Sequence, residues 1–367
     1  MTRKSLYAAL PLESWVLFYL LLYLPNAMIT KYLTSTDQPG VGRPLTGLET
    51  MPASLIISLV LTYIFIWLSG WHRDAHGKMF MGRRIPVPTR YTFISGIGTA
   101  FILFTVPLSF TIKDVSIPFM QLLMRGDILV IAPLVDFMFR RKVRWWSWAA
   151  LAMVLAAMSI TLVDRGGLKL PPIAIATIVL YTLGYFIRLG VMTKIAKNGD
   201  SAMVRRYFVE EKVIALPLAV VILAIISASG LGSGHGELRW GFVDVWTSSA
   251  MWEIFWIGFT LTVISVVAII ILLDPRENAY CVPLERAASL VAGVGATLLL
   301  FWFWKLKEPR TAELIGAAIL IAAIVMLSLA PRLFGKKEAK PVGQAGSEKG
   351  NQLNRLLVEE CNDEAKV

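Results

Sequence analysis

The chain has 367 residues, of which 56% are hydrophobic, and a mean hydropathy of +0.64, which excludes an ordinary water-soluble protein of this size. A net charge of +11 would suggest nucleic acid in a soluble chain; here most basic residues fall in short loops between apolar runs, so the charge reads as membrane topology and no nucleic-acid partner is expected. Two cysteines, Cys281 in a predicted helix and Cys361 near the C-terminus, exclude a disulfide framework and read as free thiols.

Residues 1–14 begin with the basic pair Arg3 and Lys4 and lead into a first apolar run with no small-residue cleavage site after it. They read as a cytoplasmic segment before a retained helix, not as a removable signal peptide. Ten runs of spanning length are predicted: Trp15–Leu33, Leu48–Ser69, Tyr91–Thr111, Ser116–Phe139, Trp146–Val163, Pro171–Lys194, Tyr207–Ala228, Ser248–Leu273, Ala279–Trp304 and Thr311–Leu329. Residues 112–115 are all that separate the third run from the fourth, which predicts a tight hairpin. With the N-terminus cytoplasmic, the inner loops hold 17 Lys and Arg, Arg205, Arg206 and Lys212 counted among them, against 9 outside. That bias predicts both termini in the cytoplasm. A bacterial-type plasma membrane is the expected location, with an organelle membrane second. Trp145, Trp146 and Trp148, beside a basic loop, read as an interfacial aromatic belt. Residues 331–367 are polar and rich in Lys, Gly and Glu, and are expected to be a disordered cytoplasmic tail.

The two halves echo each other. Ala152-xxx-Ala156 in the fifth run matches Ala318-xxx-Ala322 in the tenth, a spacing that lets helices approach closely in lipid. Met28–Lys31 (MITK) ends the first run and Val191–Lys194 (VMTK) the sixth, and Arg125 in the fourth run is matched by Arg286 in the ninth. Because five is odd, two five-helix copies, residues 15–163 and 164–330, must insert with opposite orientation. Inverted repeats of this kind hold substrate near the midplane, where the copies meet.

Arg125 and Asp127 lie inside the fourth run, Glu285 and Arg286 inside the ninth. Each charge at a helix centre costs about 2.5–3.5 kcal/mol if it faces lipid, so such residues turn inward and mark function. At 1.5 Å per residue, Arg125 lies roughly 13 Å from the outer end of its helix and Arg286 about 10 Å from the cytoplasmic end of its own. The planar guanidinium fork suits phosphate or carboxylate. Gln121 shares the face of Arg125; Ser289 and Gly293 share that of Arg286, with Tyr280 and Glu285 at its edge. Tyr181, Tyr185 and Arg188 form a stripe along the sixth run, and Asn26 is the strongly polar residue at mid-depth in the first. Asn26 fits either a substrate contact or a hydrogen bond between helices, and the two tyrosines also fit plain packing. Arg188 and Lys31, near helix ends, are expected to snorkel to the interface.

Ten helices in two five-helix repeats resemble the drug/metabolite transporter superfamily, over nearly the whole chain to Leu329. Within it the resemblance leans to the triose-phosphate translocator and nucleotide-sugar transporter branch. There a basic residue of the fourth helix and a basic residue or pair of the ninth bind substrate phosphate in a central cavity. Arg125 stands at the first place, and Glu285-Arg286 stands where the translocators carry Lys-Arg. The resemblance implies an all-α integral membrane protein that moves a small phosphorylated or nucleotide-sugar-like anion by alternating access, without cofactor or metal. On that reading Arg125 and Arg286 hold the anion; Gln121, Asn26, Tyr185, Tyr280 and Ser289 shape the site; Asp127 or Glu285 acts as charge partner or proton carrier. The rivals are an exporter of amino acids or amphipathic metabolites, and a lipid-phosphate flippase or membrane-embedded enzyme. An enzyme needs a titratable cluster at a membrane face, which the sequence lacks, and the phosphate-binding G-x-x-x-x-G-K-[ST] loop is absent too. Gly96-x-Gly98 reads as helix packing. His72 and His76, four apart in a basic loop, lack an acidic third ligand for a metal. A monomer and a dimer are both open.

Overall fold

Inside a bilayer the backbone has no water to bond to, so apolar runs of this length close their hydrogen bonds internally as helices. The computed structural model describes residues 11–80, 83–111, 145–164, 171–197, 200–230, 234–276, 278–306 and 311–334, with eight single positions between 120 and 138. The chain forms two compact units, Met1–Leu327 and Ser328–Val367; the site lies in the first. In order, the described elements are α1 (Leu12–Ser35), α2 (Gly47–Leu68), strands β1 (Gly77–Phe80) and β2 (Arg83–Pro86), α3 (Arg90–Thr111) and α4 (Trp145–Asp164). Then come α5 (Pro172–Ile195), α6 (Ser201–Ser229), α7 (His235–Val243), α8 (Met251–Leu272), α9 (Asn278–Trp304) and α10 (Thr311–Phe334).

Six of these helices, α1, α2, α5, α6, α8 and α9, are long and apolar enough to cross a membrane. The apolar stretches of α3, α4 and α10 are shorter. The chain is thus mostly helical and carries the signature of a multi-pass membrane protein. Leu17 and Leu21 on α1, Trp67 on α2, Val179 on α5, Ile225 on α6 and Trp302 on α9 are exposed. An apolar outer surface of this extent is favourable against acyl chains and costly against water.

Nine predicted runs coincide with described helices to within a few residues, save at the start of α6 and the end of α10. The fourth run falls largely outside the described residues, as do the expected hairpin at 112–115 and the tail beyond Phe334. Two elements had no counterpart in the sequence reading: the antiparallel pair β1–β2, with Gly77 opposite Pro86 and Phe80 opposite Arg83, and the nine-residue α7. Both are too short to give a spanning signal. The topology count also needs correction. Asp200 caps α6 by accepting from the Ala202 amide at 2.8 Å, so the helix starts at Ser201 and takes in Arg205, Arg206 and Lys212. Lys212 is 2% exposed, and Arg205 pairs with Asp74 at 2.5 Å, so neither is a solvated loop charge.

Other local signals are explicit. At the N-terminus of α2, Thr46 and Glu49 form a capping box. The same Glu49 carboxylate binds Arg43 at 2.5 Å and holds that guanidinium above its ordinary pKa. Helix α3 packs on α5 and α6, while α8 packs on α1 and α2 and α9 packs on α1. The α3–α5 crossing is set by Gly98 and Gly184: a Cβ on either would lie 2.6 or 2.5 Å from the other's carbonyl oxygen. That is the packing role expected for Gly96-x-Gly98. The alanine spacing does not work as expected. Ala152, Ala156, Ala318 and Ala322 are exposed, and it is Ala157 and Ala317 that pack, around Leu290 of α9.

Candidate functional site

Glu285 and Arg286 sit two turns into α9, 2% and 7% exposed. Burial at that depth demands partners, and two helices supply them. Tyr19 of α1 donates its hydroxyl to Glu285 Oε1 at 2.6 Å. From α5, the Tyr185 ring lies 4.1 Å from the Arg286 guanidinium carbon and the Tyr181 ring 5.8 Å, a cation–π seat. Arg286 Nε is 3.0 Å from Glu285 Oε2. The two residues are adjacent on the helix and project in different directions, so the contact is electrostatic, and among the described residues Glu285 Oε2 accepts no hydrogen bond. The Tyr185 hydroxyl is buried beside the Arg286 guanidinium.

The aromatic walls come as a matched pair. Tyr19 and Tyr23 of α1 stack at 5.7 Å between ring centroids, tilted 32°. Tyr181 and Tyr185 of α5 stack at 6.0 Å, also tilted 32°. Both pairs are buried. Tyr19, Tyr23 and Asn26 precede Tyr181, Tyr185 and Arg188 by the same 162 residues. The Glu285-Arg286 step joins these two aromatic faces, its carboxylate on one and its guanidinium on the other.

A second buried charge centre lies one turn beyond Tyr185. Arg188 binds Glu211 of α6 through Nε at 2.7 Å and Nη2 at 3.2 Å. Glu211 Oε1 also accepts from Thr99 of α3 at 2.6 Å and from Tyr207 at 2.9 Å, and Tyr207 exchanges a 2.5 Å hydrogen bond with Ser95. Three helices, α3, α5 and α6, are locked together here by one carboxylate. Lys212 follows directly, 2% exposed.

In the first third of α6, Glu210 gathers donors from the α2–α3 connection, from α3 and from α6 itself. It accepts from His76 at 2.8 Å, Thr92 at 2.9 Å and Arg206 at 3.0 Å, and Arg206 also touches the His76 ring. His72 turns instead to the Ile66 carbonyl at 3.3 Å. Among the described residues no group of three or more His, Cys, Asp or Glu is arranged to hold a metal.

Of the residues singled out in the sequence, Tyr185, Glu285 and Arg286 come together. Asn26 does not join them: its amide donates to Thr260 Oγ1 at 2.8 Å and to the Ile257 carbonyl at 3.2 Å, fastening α1 to α8. Tyr280 faces the helix end, where its hydroxyl accepts from Arg276 at 3.3 Å. Ser289 donates back to the Arg286 carbonyl at 2.7 Å. Gln121, Arg125 and Asp127 lie outside the described residues. Arg188 does not snorkel. It is 7% exposed and committed to Glu211, because its bidentate partner lies inward on the neighbouring helix.

Sequence reasoning missed Tyr19, Glu211 and Lys212. Two signals were available: the Glu210-Glu211-Lys212 charges inside a predicted span, and the repeated Tyr-xxx-Tyr-xx-Asn/Arg spacing.

No family model matches the sequence, and no curated protein matches it. Twenty-seven solved chains are similar in structure. One, described as "Crystal structure of protein", covers 88% of this chain and 99% of its own length, at a TM-score of 0.54 and 15% identity. At that identity the likeness concerns the fold, which the two chains share over most of their length.

Proposed function

We propose that this protein is a secondary transporter of a small anionic solute, built as two inverted five-helix repeats and related to the drug/metabolite transporter superfamily. The observation that carries the reading is the Glu285-Arg286 step, buried between the tyrosine pairs of α1 and α5. A charged pair at that depth, between helices of both proposed halves, lies where an alternating-access carrier would hold its substrate.

The packing supports the repeat. Helix α3 lies on α5 and α6 as α8 lies on α1 and α2, which is the pattern expected if each helix of the first half corresponds to one five spans later. The close contacts correspond as well. A Cβ on Gly96 would lie 2.7 Å from Ile214 Cβ and 3.3 Å from the Glu211 carbonyl oxygen; on Gly258 it would lie 2.8 Å from Ile57 Cβ and 2.8 Å from the Ser54 carbonyl oxygen. Gly96 and Gly258 are separated by 162 residues, the spacing of the tyrosine pairs. The ten-span count, a central cavity, cytoplasmic termini and a plasma-membrane location belong to the same proposal.

The test is uptake into vesicles reconstituted with the purified protein. Phosphorylated metabolites should compete for transport, and Arg286→Gln should abolish it with insertion intact. A second reading is favoured by one specific feature. A carboxylate and a guanidinium side by side, with aromatic rings on two flanks, also suit a zwitterion. Competition by amino acids and not by phosphorylated solutes would select an amino-acid exporter.

A further inference from the structure

Lys212, on α6, is a buried cation among the described residues. It is 2% exposed, and none of those residues gives its ammonium a hydrogen-bond or ion-pair partner. Its neighbours are the Phe208 ring, 5.8 Å away, and the charges of Glu211 and Arg188. Glu211 is not available to it. The Glu211 oxygens already take two donors from Arg188 and one each from Ser95, Thr99 and Tyr207. Successive residues on a helix also point about 100° apart. With Arg188 and Lys212 positive and Glu211 negative, the cluster keeps one excess positive charge. A buried charge without a counterion is destabilising, and a retained one marks a place where an opposite charge arrives.

We infer that Lys212 holds the negative charge of the transported solute, an oxyanion head group such as phosphate or carboxylate. This rests on the anion-carrier reading and gives that carrier a cationic residue on α6 in addition to Arg286 on α9. In the empty protein the ammonium is the unmatched group. When the anion is bound it becomes the counterion, and the cluster reaches neutrality without disturbing the Arg188–Glu211 pair.

The test is thermal unfolding of the purified full chain in a maltoside micelle, with and without millimolar inorganic phosphate and, separately, lactate. Wild type should melt higher with at least one of the two, and which one separates phosphate from carboxylate recognition. Lys212→Met should lose that shift and, without added anion, melt at or above wild type, because the unmatched charge is gone. Lys212→Arg should retain a shift. If the methionine variant does not fold, Lys212→Gln carries the same comparison. A wild-type shift in the neutral variant, or loss of the shift together with melting well below wild type, overturns the assignment. In the first case, loss of the shift in Arg286→Gln leaves the anion-carrier reading standing. No shift in wild type with either probe overturns both.

Discussion

Replacing Glu211 by Gln keeps the shape of the side chain while removing its charge and turning one of its two acceptor oxygens into a donor. Arg188 and Lys212 are then left as two buried cations, their side chain and residue 8% and 2% exposed, with no carboxylate between them. Breaking a buried pair from one side costs about 3–5 kcal/mol, because the surviving charge stays desolvated. Glu211→Gln should fall in that range. Arg188→Met should cost less, under about 3 kcal/mol, because the nearby Lys212 charge, though not hydrogen-bonded to Glu211, offsets it, and Thr99 and Tyr207 still donate to it. An exposed ion pair would give only about 0–1 kcal/mol for either change. Reversible unfolding in mixed detergent micelles, read by tryptophan fluorescence, measures both. Two results would refute the reasoning. If Glu211→Gln cost about 1 kcal/mol or less, the network would be solvated. If Arg188→Met cost as much as Glu211→Gln, the excess charge would not be positive.

Three further changes probe the packing and the site. Gly98→Ala puts a methyl 2.6 Å from the Gly184 carbonyl oxygen, so α3 and α5 must separate; a loss of about 1–3 kcal/mol in the same unfolding assay is expected. Asn26→Ala removes one fastening between α1 and α8 and should cost about 0.6 kcal/mol, up to roughly 1.7, with transport retained in the vesicle assay. Tyr185→Phe keeps the ring against Arg286 and deletes a buried hydroxyl beside that guanidinium. It should change unfolding little and alter the solute response, whereas Arg286→Gln should remove the response altogether.

The helical plan was legible because spanning length and apolarity are properties of contiguous residues. Hydrogen bonds inside lipid leave the backbone few alternatives, so the predicted runs and the described helices coincide. Glu285 and Arg286 were legible for the same reason: a charge inside an apolar run stands out before any partner is known. The short elements β1, β2 and α7 were not, since their stability comes from what they pack against.

The sequence by itself determined that this is a helical membrane protein with charges placed where lipid would reject them. Only the tertiary structure decided which charges meet. Arg188 looks like an end-of-helix cation along its own helix, and its inward role is fixed by Glu211, 23 residues away on α6. Asn26 and Tyr19 are polar residues on one helix, yet one turns to α8 and the other to Glu285 on α9. The physical reason is that a helix specifies the direction of each side chain, while its electrostatic environment is supplied by neighbouring helices whose crossing is set by contacts such as Gly98 against Gly184.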